Sequence, residues 1–140
     1  MFLLDTNILS ELTKKKSDPG VTRRILSTRS DLLFASELTR YELRYGAALD
    51  DRRDQLWKEI EERILPVPTW IPVDRDVAWT TADLDAALSR QGKSIESIDA
   101  LIAGTALAFG LILVTRNVRH FANVPGLALE NWFPEGASGT

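Results

Sequence analysis

The chain has 140 residues, 44% of them apolar and 26% charged, ordinary proportions for a globular protein with enough length to bury a core. A net charge of −3 argues against a generic nucleic-acid binder with one broad basic face. With no cysteine and a single histidine, His120, a disulfide framework and a thiolate metal site are excluded, which fits a reducing cytoplasm, and any metal must be held mainly by oxygen.

No apolar run approaches the roughly 20 residues of a membrane span. The start, Met1-Phe2-Leu3-Leu4-Asp5, lacks the basic region of a signal peptide. Basic residues do cluster, at Lys14-Lys15-Lys16, Arg23-Arg24, Arg52-Arg53 and Arg116 with Arg119, and a solvated surface is the simplest reading of each. Without repeats, low-complexity runs or a linker, the expectation is one domain over 1–140, with a flexible tail after Trp132.

In chain order, Phe2-Leu3-Leu4 is a short apolar strand closed by the capping residues Asp5-Thr6-Asn7. Ile8, Leu9 and Leu12 then give one face of a short helix. A second helix follows Pro19-Gly20, with Val21, Ile25 and Leu26 as its apolar positions. Leu32 to Ala35 is a buried strand, and Ser36 caps a helix whose apolar stripe is Leu38, Tyr41, Tyr45 and Leu49. The charged helix from Asp51 to about Ile64 carries Leu56, Trp57, Ile60 and Ile64. Pro66, Pro68 and Pro72 bound an irregular stretch or edge strand around Trp70-Ile71.

Val77, Thr81, Leu84 and Leu88 line a helix ended by Gly92; Trp79 falls off that stripe and is expected to pack under a loop rather than face a partner. Ser94 caps an apolar helix, Ile95 to Phe109, closed by Gly110. Leu111 to Val114 is a second buried strand, and Leu127 and Leu129 suggest a last one. Strands alternating with helices, and apolar runs without alternation, predict an α/β sandwich of three layers around a mostly parallel sheet.

Ligands of such sheets bind beyond the carboxyl ends of the strands. Asp5 ends the first strand, and Thr115, Arg116 and Asn117 follow Leu111 to Val114 at the same edge. Glu42, about two turns into its helix, and Asp99, in the second turn of its own, are placed near that edge as well. Asp99 lies in an apolar helix and is expected to be buried, which is costly for a carboxylate unless it is paired or bound to a metal. Taken singly, Asp5 reads as a helix cap, Glu42 as a surface acid, and Asp99 equally as half of a salt bridge to an arginine. Together, three carboxylates would repel one another unless a cation such as Mg²⁺ joined them.

Leu4-Asp5-Thr6-Asn7, Glu42 within Ser36 to Glu42, and Ile98-Asp99-Ala100-Leu101-Ile102-Ala103 resemble the three acidic motifs of PIN-domain nucleases. Thr115-Arg116-Asn117-Val118-Arg119-His120-Phe121, with Val124-Pro125-Gly126-Leu127 and Asn131-Trp132, resembles the last motif of the VapC and FitB toxins. The likeness runs from Met1 to Trp132. It implies a PIN fold and an endoribonuclease using Mg²⁺ or Mn²⁺, usually dimeric and silenced by an antitoxin that also binds operator DNA. It also implies Asp5, Glu42 and Asp99 as metal-binding acids and Thr6 and Asn117 as helpers. Family members often carry a further acid at the position of Asn117 or of His120, and this chain has neither; His120 reads as a packing or surface residue. Two other readings are a metal-dependent phosphatase, which would want an aspartate where Asn7 stands, and a binding module that has lost catalysis.

Overall fold

Side chains along the short strands alternate between two apolar cores. Leu4, Leu33, Ala35 and Val114 join one, and Leu3, Leu113 and Ile71 join the other. The computed structural model describes residues 1–134. Among them, β1 (Phe2–Leu4), β2 (Leu33–Ser36), β3 (Thr69–Ile71), β4 (Ile112–Val114) and β5 (Leu129–Glu130) form one sheet in the order β3-β2-β1-β4-β5. Every pairing is parallel, so the sheet is wholly rather than mostly parallel.

The helices are α1 (Thr6–Leu9), which runs on into a 3-10 turn at Ser10–Thr13, α2 (Pro19–Ser27), α3 (Glu37–Leu49), α4 (Arg53–Arg63), α5 (Arg75–Arg90), α6 (Ser97–Phe109) and α7 (Val118–Phe121). The first four pack residues such as Ile8, Val21, Leu43 and Ile60 into one core; α5, α6 and α7 pack Leu84, Ile102 and Phe121 into the other. That is the three-layer α/β/α sandwich. No helix among the described residues is long and apolar enough to cross a membrane.

Three elements depart from the expected pattern. On α3 the buried residues are Thr39, Leu43 and Ala47, whereas Tyr41, Tyr45 and Leu49 are exposed. Both sets have helical spacing, and Leu43 and Ala47 enter the core without a phenol hydroxyl that would need a partner there. On α2, Leu26 is exposed for the same reason of phase, since Val21 and Ile25 take the inner positions. Helix α6 begins at Ser97 with Glu96 as its cap, two residues later than expected, because Ala100 N donates to Glu96 O at 2.8 Å. Asp99 therefore stands in the first turn, closer to the positive end of the helix dipole.

On α5 the expected stripe of Val77, Thr81, Leu84 and Leu88 is buried. Gly104 on α6 lets the two helices touch: a Cβ there would lie 1.9 Å from Thr81 Oγ1. Trp79, off this seam, is 71% exposed, so it does not pack under a loop. Trp132 and Phe133 are buried against the first core. The tail expected after Trp132 thus starts no earlier than Pro134, and 135–140 lie outside the described residues.

Candidate active site

The strand order places a topological switch point between β1 and β4, where the chain, having built outward through β2 and β3, returns to the other side of β1. The crevice beyond such a switch is where parallel sheets bind ligands. Here its walls are fixed by hydrogen bonds between the two strand ends. Asp5 N donates to Val114 O at 2.9 Å, and Thr115 Oγ1 donates to Asp5 Oδ2 at 2.8 Å. Asn7 Nδ2 donates to Thr115 Oγ1 at 3.4 Å, Arg116 N to Asn7 Oδ1 at 3.0 Å, and Asn117 N to Thr115 Oγ1 at 3.1 Å.

Asp5 is both a helix cap and a pocket residue, two readings the sequence offered as alternatives. Its Oδ1 accepts from Thr6 N at 2.8 Å, while the side chain lines a cavity of about 380 Å³ together with Thr6, Glu42, Asp99 and Asn117. Ser36, the last residue of β2, starts α3 by accepting from Leu38 N at 3.0 Å, and Glu42 follows on the flank turned to the cavity. Thr6 Oγ1 donates to Glu42 Oε1 at 2.6 Å, so Glu42 is half-buried and held, not a free surface acid. All five expected site residues therefore border one cavity, joined there by Asn7, Ser10 and Lys14.

Electrostatics mark the place. Burial pushes the carboxyl pKa of Asp5 up; the bonds from Thr115 and Thr6 pull it back, and Asp99 pushes it further. Glu42 is raised by burial against the bond from Thr6, with Asp5 adding repulsion. Asp99 is raised by burial, offset by His120 and reinforced by Glu96 and Glu42. Each acid thus meets another acid across the cavity, a pattern typical of functional sites.

Asp99 is only partly buried, and its neighbour is His120, with Nδ1 3.5 Å from Oδ2, rather than an arginine. His120 was expected to be a packing or surface residue. It is about half exposed, yet it shares a smaller cavity with Ser94, Ile95, Glu96 and Asp99. The sequence carried no sign of that pairing, because it depends on how α7 sits over the start of α6. Thr115 and Asn7 were likewise visible only as motif letters, and their role is to hold Asp5 and the loop after β4.

The oxygen-rich donor set fits a hard divalent cation. Among the described residues, however, no three acidic or histidine side chains are gathered closely enough to enclose an ion. Asp5, Glu42 and Asp99, the acids expected to serve the ion, border the same cavity without closing on one point.

A parallel α/β sandwich with carboxylates at its switch point can hold a cation of the kind that polarises phosphate esters. The PIN-domain family model matches residues 2–127, and the chain belongs to that family. Within it the chain is of the VapC and FitB type, nucleases by class. It is 36% identical over 140 residues to VapC ribonuclease Y4jK of Sinorhizobium fredii, covering 96% of this chain and 99% of that one. It is 34% identical over 131 residues to the tRNA(fMet)-specific endonuclease VapC of Shigella flexneri, covering 94% and 97%. The fold matches the crystal structure of DNA-bound VapBC from Salmonella typhimurium with a TM-score of 0.84 and 30% identity, over 94% of this chain and 98% of that one. PIN-domain ribonucleases are in general metal-dependent.

Proposed function

We propose that the chain, a single PIN domain, is a Mg²⁺-dependent endoribonuclease of the cytoplasm that serves as the toxin of a type II toxin–antitoxin pair, with Mn²⁺ able to substitute. The observation that carries this reading is the convergence of Asp5, Glu42, Asp99 and Asn117 on one cavity at the switch point of the sheet.

In this reading Asp5 and Asp99 hold the cation, and Glu42 completes its surroundings through water. When bound, the ion supplies Lewis-acid polarisation of the phosphodiester and a more acidic water. The chain does the rest by position. Thr115 and the Thr6 amide fix the Asp5 carboxylate from two sides, a support that keeps a ligand aimed. Thr6 Oγ1 holds Glu42 toward the cavity with the carboxylate free to accept a proton from the attacking water. The Asn117 amide is neutral, so it orients groups at the site and adds no charge for a second ion.

The exposed apolar residues Tyr41, Tyr45 and Leu49 on α3 and Trp79 on α5 offer apolar area for assembly, as exposed apolar patches do at partner sites. A second copy of the chain and the antitoxin are the two partners of this reading. The antitoxin brings a basic side chain to the acid cavity and makes the contact with operator DNA.

Removal of divalent ions with excess EDTA should stop cleavage of total RNA, and Mg²⁺ or Mn²⁺ should restore it. Cleavage undiminished by the chelator would overturn the mechanism. Protein that is folded yet cuts no RNA with either ion would point instead to a binding module. Expression alone should arrest bacterial growth, and co-expression of the antitoxin should relieve it.

A further inference from the structure

The acid cavity does not end at Lys14. A second cavity of about 350 Å³ lies beside it, lined by Glu11, Lys14, Lys16, Asp18, Arg116 and Phe133 among others. Two links make the cavities neighbours: Lys14 lines both, and the consecutive residues Arg116 and Asn117 line one each.

The acids of the second cavity are engaged with the protein itself. Asp18 caps α2, its Oδ1 accepting from Gly20 N at 2.9 Å and Val21 N at 3.1 Å. Glu11 is buried; its Oε1 accepts from Asp18 N at 2.8 Å and its Oε2 lies 2.8 Å from Lys14 Nζ. Lys14 thus answers Glu11 while also bordering the acid cavity. Lys14, Lys15 and Lys16 are exposed, and the Arg116 guanidinium lies over the Phe133 ring at 4.2 Å. The cleft therefore presents the exposed Lys16 beside the Lys14–Glu11 pair, while its carboxylates face backbone amides and Lys14.

We propose that this cleft is the path of the RNA strand flanking the cleaved bond, with Lys14 at the join and Lys16 holding a backbone phosphate further along. The inference rests on the ribonuclease reading and names where that substrate lies. A chain of net charge −3 with an acid-lined cavity repels a polyanion, so binding needs local cations at the cavity mouth. Among the residues lining the acid cavity, Lys14 is the cation. A lysine ammonium contacts phosphate without reading a base, so the cleft fixes how the strand lies and leaves base choice to other contacts.

The test uses the full chain in excess EDTA, where a fluorescein-labelled single-stranded RNA is bound and not cut, with anisotropy followed across a KCl series. Each phosphate contact on a single strand contributes a slope of about 0.7 in log affinity against log salt. Lys16→Ala should lower the slope by about 0.7 and weaken binding about fivefold at 0.1 M salt; Lys58→Ala, at an exposed lysine of α4, should change neither. Lys14→Ala leaves Glu11 buried without its cation and could unfold the chain, so Lys14→Arg, which keeps the charge, is expected to hold the wild-type slope. In turnover with Mg²⁺, Lys16→Ala should raise KM and leave kcat alone.

Wild-type protein that cuts RNA while Lys16→Ala and a folded Lys14→Ala keep the wild-type slope and KM would overturn the cleft and spare the ribonuclease reading. Wild-type protein that cuts no RNA sinks that reading and the cleft with it. An acidic peptide that binds the cleft without displacing the RNA would also overturn the proposal, by marking the surface as a protein interface.

Discussion

At the carboxyl ends of β1 and β4, three carboxylates are held partly out of water; on α3 and α5, Tyr41, Tyr45, Leu49 and Trp79 are held partly in it. Each arrangement is unfavourable for the chain alone. Buried like charges disfavour one another's ionisation, and a large exposed apolar side chain gains nothing from the fold. The supporting structure differs, though. Asp5 and Glu42 are fixed by hydrogen bonds from Thr6 and Thr115, with Asn7 bracing Thr115, and Asp99 faces His120. On the aromatic surface the ring contact among the described residues is the stacking of Tyr41 on Tyr45, centroids 6.1 Å apart. The contrast separates a site that must be rigid before its ligand arrives from a surface that a partner completes.

The largest effect comes from breaking the acid side. Asp99→Asn keeps the shape of the side chain and removes its charge. If the bound cation is worth several kcal/mol to the transition state, cleavage should fall about 100- to 1000-fold. The metal-free variant should melt at or above the wild-type temperature, because a repelling charge has gone. Steady-state cleavage and metal-free melts check the two halves. A large drop in melting temperature would make Asp99 a structural residue and erase the distinction between the two regions.

How far each region could be read from the letters follows from the same contrast. The acid edge was legible because topology does the work. Residues that end a strand or begin a returning helix share one edge of a parallel sheet, so Asp5, Glu42, Asp99 and Asn117 meet wherever such a sheet forms. The α3 surface was not legible, since Leu38, Tyr41, Tyr45 and Leu49 have the spacing of a core stripe and periodicity cannot say which of two apolar faces the sheet will take. His120 failed for another reason: its nearness to Asp99 depends on the placement of α7, a single turn of helix that no pattern predicts. The end of α6 was legible locally, at Gly110 with φ of 65°, but its start moved by two residues because Glu96 and not Ser94 accepts the first helical bond.

A middle-sized effect tests the aromatic side. Tyr45→Ala combined with Trp79→Ala should leave the melting temperature within the narrow range of surface substitutions, about 0.5 kcal/mol, and leave cleavage of RNA per active site intact. Assembly should change: light scattering should show a lower mass, or co-purification should recover less antitoxin. If mass and antitoxin capture are both unaltered, the exposed aromatics are scattered surface residues and the contrast with the acid crevice loses one of its terms.

The smallest effect, and the sharpest on mechanism, is a dependence on pH. Burial raises the pKa of Asp5, Glu42 and Asp99 in the fold, while in the unfolded chain they ionise near the ordinary value of about 4. The folded state therefore binds their protons more tightly. The stability that these groups contribute is fully present below the unfolded pKa and is lost as pH rises through the folded values. Other carboxylates titrate over the same range, so the useful quantity is the melting temperature of Asp99→Asn minus that of wild type, both without metal. That gap should be near zero at pH 4 and should widen toward pH 7, where wild-type Asp99 is charged and the asparagine is not. Adding Mn²⁺ at pH 7 should close or reverse the gap, because a cation that binds the ionised acids stabilises only the chain that has them. A gap that stays constant from pH 4 to 7 would mean that Asp99 gains as much from His120 as it loses to burial and repulsion. The acid crevice would then be electrostatically neutral to the fold, and the need for a cation would rest on the chemistry alone.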